Sequence, residues 1–174
     1  MNKQDFTVTP DLYASKGNRF VNYIVDVIVF VALFLGFVIV VSYLFYTFSD
    51  DVSAVDDFIY KLENVNPFLD RLITSIIIAL FYFTTETVLK GRTIAKYVTK
   101  TKVVLEDGSK PNAIDYLKRS FSRIIPFEAL SFLGPEGRGW HDTISNTYVV
   151  DIAKFEAKKK AQSELDQIGV SQEI

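Results

Sequence analysis

From Tyr23 to Phe48 the chain reads YIVDVIVFVALFLGFVIVVSYLFYTF, 26 residues in which Asp26 is the single charge. As a helix rising 1.5 Å per residue such a run reaches roughly 39 Å, enough to cross a hydrocarbon core of about 30 Å with length left for tilt. Its β-branched residues do not make it a sheet, because no turn signal interrupts it and strands rarely exceed about ten residues. A second block opens at Asn66-Pro67, where Asn suits a helix cap and Pro the first helical position, continues FLDRLITSIIIALFYFTTETVL, and stops at Lys90-Gly91. Residues 23–48 and 67–89 are therefore predicted as two antiparallel transmembrane helices, with Tyr23, Tyr43 and Tyr46 at the depth that amphipathic rings favour. A cleaved leader is the competing reading of the first block, but its apolar stretch outruns an h-region of about 7 to 15 residues and no small-residue cleavage site follows.

This patterning makes average composition misleading. A chain that is 49% apolar with a net charge of -2 resembles a soluble globule only because long apolar blocks and charged connections are averaged together. The absence of cysteine removes disulfide frameworks and thiolate chemistry, and a lone histidine leaves too few imidazoles for an all-His metal centre.

Charge sets the orientation. Between the blocks, Ser49 to Arg71 holds six acids (Asp50, Asp51, Asp56, Asp57, Glu63, Asp70) and two bases (Lys61, Arg71), with a short amphipathic piece around Phe58 to Leu62. Lys3, Lys16 and Arg19 precede the first block, and Lys90, Arg92, Lys96, Lys100, Lys102 and Lys110 follow the second. Because basic residues near span ends stay inside, both termini are expected in the cytoplasm and the acidic loop outside.

Ala113 to Leu133 carries Asp115, Lys118, Arg119, Arg123 and Glu128, each costing about 3 kcal/mol at mid-bilayer, which argues against a third span. Ile114, Leu117, Phe121, Ile124 and Ile125 instead recur at helical spacing, predicting a basic amphipathic helix at the headgroups, opened by an Asn112/Asp115 capping box and bent or broken at Pro126. A re-entrant dip through FEALSFLG, a full span and an ordinary packed helix remain alternatives. Thr101 to Glu106 and Thr147 to Ile152 read as short strands, each too short to stand alone, so they are expected to pair beneath the membrane. The tail from Ala153 to Ile168 is helix-prone, with Glu156 four residues before Lys160, and its Lys158-Lys159-Lys160 run reads as a solvated face or as a contact for anionic lipid. The expected fold class is thus an all-α membrane protein, residues 1–150 forming the membrane unit with a small cytoplasmic strand pair and 151–174 a cytoplasmic helical tail.

Arg19 with Asp26 seven positions later, then TIAK, KVVLEDG, RSFSRIIPF and WHDTISNTYVV, resembles the RDD family of bacterial membrane proteins over about Gly17 to Val150. The family's arginine falls on Arg19 and its two aspartates on Asp26 and Asp142, while Ala95 stands where its TIAK stretch usually carries glycine. The resemblance implies a multi-pass protein of the bacterial inner membrane, for which transport, including sodium/proton antiport in some members, has been proposed.

Arg19, Asn22 and Asp26 stand at i, i+3 and i+7, one helical face near the cytoplasmic end of the first span. Asp26 lies about 4.5 Å inside Tyr23 and Glu86 about 6 Å inside Lys90, so two carboxylates reach similar depth. Acids there are costly unless paired, which places partners among Arg19, Arg92, Arg119, Arg123 and His141, with hydroxyls from Thr84, Thr85 and Thr87. Either Asp26 and Asp142 accept from arginines as a polar latch, or Asp26 and Glu86 exchange a proton for a cation.

The function this implies is a transport component handling small cations or protons. The alternative is a non-catalytic scaffold or accessory subunit that recruits other proteins to the cytoplasmic membrane face. No enzyme is expected, since His141-Asp142 lacks further histidines, a glycine-rich phosphate loop or a G-x-S-x-G elbow. No cofactor, metal or nucleic acid is expected either. Two spans cannot enclose a solute path, so besides the lipid bilayer the expected partners are further copies of the chain or other membrane proteins. Ala32-xxx-Gly36 and Ser75-xxx-Ala79 offer close-approach faces for them, or for each other.

Overall fold

The structure, a computed structural model, describes residues 6–48, 53–135 and 137–171. Lys3 and the stretch 49–52 of the acidic loop, with Asp50 and Asp51, lie outside the described residues.

Helix α1 runs Lys16–Phe48, seven residues longer at its start than the apolar run from which it was predicted. Ser15 explains the extension: its Oγ accepts from the Asn18 N–H at 3.1 Å and satisfies a donor that would otherwise be orphaned in the polar first turn. After α2 (Ser53–Glu63), which covers the expected amphipathic piece, α3 spans Pro67–Val88. Asn66 caps it through a 2.8 Å bond from the Phe68 N–H. It stops where Lys90 and Gly91 turn left-handed (φ 53° and 85°) and the Gly91 N–H reaches back to the Glu86 carbonyl at 2.7 Å. A Cβ on Gly91 would meet the Tyr116 hydroxyl at 2.9 Å and the Val103 carbonyl at 3.0 Å, so this position is closed to a side chain.

Both α1 and α3 are long and apolar enough to cross a membrane, and neither is the core helix of a soluble protein, since only 6% and 11% of their most apolar windows are buried. They touch through Phe30 and Phe81, ring centroids 5.4 Å apart. Gly36 is not part of that contact, for a Cβ built there meets nothing within 4 Å, whereas Ala79 is buried. The Ala32-xxx-Gly36 face therefore does not serve to pack the chain's own two helices together.

The start of α1 and the end of α3 converge on a small cap. Strand β1 (Thr101–Leu105) pairs antiparallel with β2 (Thr147–Asp151), Val103 opposite Val149, as expected but one residue shorter at each C-terminal end. Tyr13 bridges to Val150 on the edge of this ribbon. One sheet face packs Val104, Tyr148 and Val150 with Val8, Leu12 and Phe155, and the other sets Val103 and Val149 with Ala14 and Tyr116. Around the ribbon lie α4 (Ile94–Val98), α5 (Ala113–Ser122), a 3-10 turn at Glu128–Leu133, α6 (Trp140–Ile144) and α7 (Ile152–Ser171).

One expectation about the next segment needs correction. The helix predicted over 113–133 is opened by the expected capping box, but it ends at Ser122 and resumes only as the 3-10 turn. Pro126 is the cause: its ring clashes with the carbonyl four residues back, which is that of Ser122, and it disfavours helix at Ile125. Within these bounds α5 turns its polar side inward and its apolar side out. Tyr116, Arg119, Ser120 and Ser122 are buried while Ile114, Leu117 and Phe121 are exposed, and Ile125, Phe127, Leu130 and Leu133 continue the exposed apolar surface.

In the tail, Glu156 pairs with Lys102 at 2.5 Å instead of with Lys160, which meets Glu164 at 3.8 Å. The lysine run is not simply solvated either, since Lys158 donates to the Thr9 hydroxyl at 2.6 Å and Lys159 to the Gly108 carbonyl at 3.4 Å, tying α7 to the start of the chain and to the loop after β1.

Candidate functional site

The buried residues of α1 are Arg19, Asn22 and Asp26, the same three that share one face at helical spacing. Each reaches a different part of the cap. Arg19 pairs with Asp142, donates to the Gly137 carbonyl at 2.6 Å and lies over the Phe132 ring. Asn22 donates to the Thr101 hydroxyl at 3.1 Å and accepts from that of Thr99 at 2.6 Å. Asp26 accepts from the Thr93 hydroxyl at 2.9 Å and from the Ala95 N–H at 3.4 Å. Thr93 is able to do this because it is the N-cap of α4, which also aims the first-turn amide of Ala95 at the carboxylate. Ala95 is therefore part of a helix start and not of a tight turn.

From α3, Glu86 is wholly buried among three cations: Lys96 on one oxygen, Arg119 Nε on the other at 3.0 Å, and Arg123 at 3.8 Å. Arg119 is the hinge of the network. Besides Glu86, its guanidinium meets Asp142 and the Thr147 hydroxyl at 2.9 Å, so one side chain joins α3, α6 and β2. Asp142 also receives the Gly139 N–H at 3.0 Å. His141 bonds Glu128 through Nδ1, and Ser131 adds a hydroxyl to Glu128 at 3.2 Å. Arg123 stacks on Tyr82 at 3.9 Å, and Arg138 stacks on Tyr148 at 4.0 Å while donating to the carbonyls of Asp142 and Thr147.

Of the four buried carboxylates, Glu86 and Asp142 pair with the cations Lys96, Arg119, Arg123 and Arg19, whereas Asp26 and Glu128 accept hydrogen bonds from neutral donors. These pairs and hydrogen bonds are what make such burial tolerable, since an ion taken from water without a partner costs several kcal/mol. In the cap, burial pushes the Asp142 carboxyl up, but Arg119 and Arg19 outweigh it and hold the group well below the usual carboxylate range. Burial, helped by Arg123, pushes His141 down to about 4, so at neutral pH the ring is uncharged and its Nδ1–H donates to Glu128.

Arg19, Asn22, Asp26, Arg119, Arg123 and His141 line one cavity of about 40 Å³, and Glu86 and Asp142 bond the arginines at its wall. The partners differ from expectation in places. Among the described residues Asp26 accepts from neutral donors and not from an arginine. Arg92 stacks on Tyr97 at 5.0 Å, away from both acids, and the hydroxyls of Thr84 and Thr85 return to their own helix at Leu80 and Phe81, each at 2.8 Å. Thr87 Oγ1 is buried without a hydrogen-bond partner among the described residues.

Sequence reasoning missed Lys96, which it counts only among the basic residues that follow the second span, together with Thr93 and Glu128. A threonine three residues ahead of Lys96 was the available signal, a helix cap whose first turn would carry the lysine back toward α3. Among the described residues no group of three or more His, Asp or Glu side chains is arranged to hold a metal ion.

A family model described as the RDD family matches residues 13–149. The stretch begins at Tyr13, which bridges to the last strand, and ends inside that strand at Val149, so it encloses every pair of the network. No curated protein and no solved structure gives a match. With its charge network inside the matched stretch and two bare apolar helices leading away from it, this chain is a membrane protein belonging to the RDD family.

Proposed function

We propose that the chain is a two-pass inner-membrane subunit of a transport assembly, both termini cytoplasmic, in which Asp26 handles a proton or small cation. The observation that carries this is the groove in front of Asp26. A cleft of about 380 Å³ runs along α3 past Asp70, Thr74, Ile78 and Tyr82, one face at four-residue steps, and is flanked by Val27 of α1 and by the Ile124–Ala129 segment. Tyr23, Tyr82, Arg123 and Ala129 line both this cleft and the inner cavity that Asp26 borders. With the start of α3 outside, these shared walls put the cleft next to a carboxylate that has no cation within hydrogen-bonding distance among the described residues. Glu86, clasped by three cations, is an anchor and not an exchange site.

The cleft is open on one side, and closing it takes another helix. All residues from Val31 to Val40 on α1 are exposed, which suits a second copy of the chain or another membrane protein at that surface. The apolar side of α5 and the exposed residues after it lie at the headgroups in this arrangement, with the polar side held by the network. The protein is not an enzyme on this reading, and its ionised groups act by position and charge.

Proteoliposomes with an internal pH dye test the proposal. Imposed cation gradients drive proton flux with the native chain, and Asp26→Asn abolishes it while inserting normally. Unchanged flux in that variant, or none in the native protein, overturns the transport reading. A second reading, a scaffold that recruits proteins to the cytoplasmic face, is favoured by the buried pairs that tie α1, α3, α5 and α6 together and make the cap a fixed platform. Purification in mild detergent with one stoichiometric heterologous partner and no flux would establish it.

A further inference from the structure

Away from the Asp26 network a second concavity of about 720 Å³ opens beside the end of α3. Lys90, Arg92, Lys102, Lys110 and Lys159 line it against a single acid, Glu156, whose carboxylate is already paired with Lys102 at 2.5 Å. Five cations and one anion leave an excess of four positive charges in one hollow of a chain whose net charge is -2.

Local structure accounts for only part of this. Lys90 and Arg92 follow the C-terminal end of α3 and offset its negative dipole. Lys102 comes from β1, Lys110 from the loop after β1, and Lys159 from α7, where no helix end calls for them. Separate elements thus deliver five like charges to one place, where the single carboxylate of Glu156 offsets only one of them. Arg92 is held flat by stacking on Tyr97 at 5.0 Å, and Lys90 is fixed in a left-handed backbone conformation (φ 53°) beside the closed Gly91 turn. Neither Lys90 nor Lys110 forms an ion pair with a carboxylate among the described residues.

The rim identifies the ligand. Val88, 68% exposed, and Tyr97, 51% exposed, line the hollow, and Val98, 67% exposed, lies next to Tyr97 on α4. A ligand that satisfies both walls carries phosphate at one end and hydrocarbon at the other. We infer that this hollow is a binding site for the phosphate headgroup of an anionic phospholipid of the cytoplasmic leaflet, its acyl chains running along Val88 and the last turns of α3. The choice of lipid over free phosphate rests on the inner-membrane topology proposed above, while the phosphate chemistry rests on the five cations alone.

The full-length chain in a neutral detergent, titrated with short-chain phosphatidylglycerol and followed by thermal shift, tests this without any flux measurement, so its outcome is independent of whether Asp26 moves protons. The native protein is stabilised saturably by phosphatidylglycerol and not by phosphatidylcholine. Lys90→Gln combined with Lys110→Gln, which disturbs no ion pair within the described residues, lowers apparent affinity about thirtyfold. Lys118→Gln combined with Lys160→Gln removes equal charge elsewhere and leaves affinity unchanged. Equal loss in both double variants overturns the site in favour of diffuse attraction, as does stabilisation by phosphatidylcholine. Stabilisation by millimolar inorganic phosphate that Lys90→Gln with Lys110→Gln removes overturns the lipid as the source.

Discussion

Two stretches of the same helix follow opposite rules. From Val31 to Val40, α1 exposes every side chain, and all of them are apolar or glycine. From Arg19 to Asp26 it buries its polar residues, Arg19, Asn22 and Asp26, and leaves Phe20, Val21 and Ile24 exposed. The outer stretch needs only its own backbone bonds, because lipid is as good a neighbour as another apolar helix. The inner stretch holds the tertiary structure, and it does so with charge: where apolar residues gain nothing by leaving their solvent, directional pairs decide which helix meets which.

The widest separation between the two stretches comes from breaking the hinge. Arg119→Met leaves Glu86 and Asp142 buried with less compensation, and a loss of roughly 3–5 kcal/mol is expected, read by thermal unfolding in detergent. Adding Glu86→Gln to that variant restores part of the loss, because the two residues are directly paired.

Acid sharpens the contrast next. His141 is held at about 4 against an ordinary value near 6.5, so the unfolded chain binds the extra proton in that window. The contribution of about 3 kcal/mol is complete above pH ~6.5 and is lost as pH falls toward ~4. Melting temperature followed from pH 7 to 4 declines in the native protein, and His141→Gln flattens the curve over that range. The outer stretch of α1, holding no titratable group from Val31 to Val40, contributes nothing to it.

Gly91→Ala is expected to cost about 1–2 kcal/mol, since it adds a Cβ to a left-handed residue and presses it against Tyr116 and Val103, and urea-induced unfolding of the detergent-solubilised protein measures it. The smallest effect is expected at Gly36→Ala, within about 0.5 kcal/mol in the monomer, because the added carbon meets nothing. If a partner helix covers that face, the same substitution changes the oligomer distribution in native mass spectrometry without moving the monomer's melting temperature.

Both spans were legible because hydropathy over some twenty residues leaves few folds open. Arg19, Asn22 and Asp26 were legible because a regular helix turns sequence spacing into direction. The strand pair followed from two short β-branched runs that had no other partner. What escaped depended on irregular backbone. Lys96 looked like every other lysine beside a membrane, and only the cap at Thr93 turns it toward Glu86. Glu128 sits after the Pro126 break, where helical spacing no longer predicts facing, and its bond to His141 could not be read. The inward polar face of α5 was hidden for a different reason: an amphipathic pattern tells that two sides differ, but not which of them meets protein.

Arg19 and its partner Asp142 are 123 positions apart in the chain. A ribosome making this protein in order therefore commits Arg19 and Asp26 to the translocon long before their counterparts exist, and the nascent helix waits with an unanswered guanidinium at the lipid boundary. Any chain cut short before Asp142 lacks the carboxylate that answers Arg19.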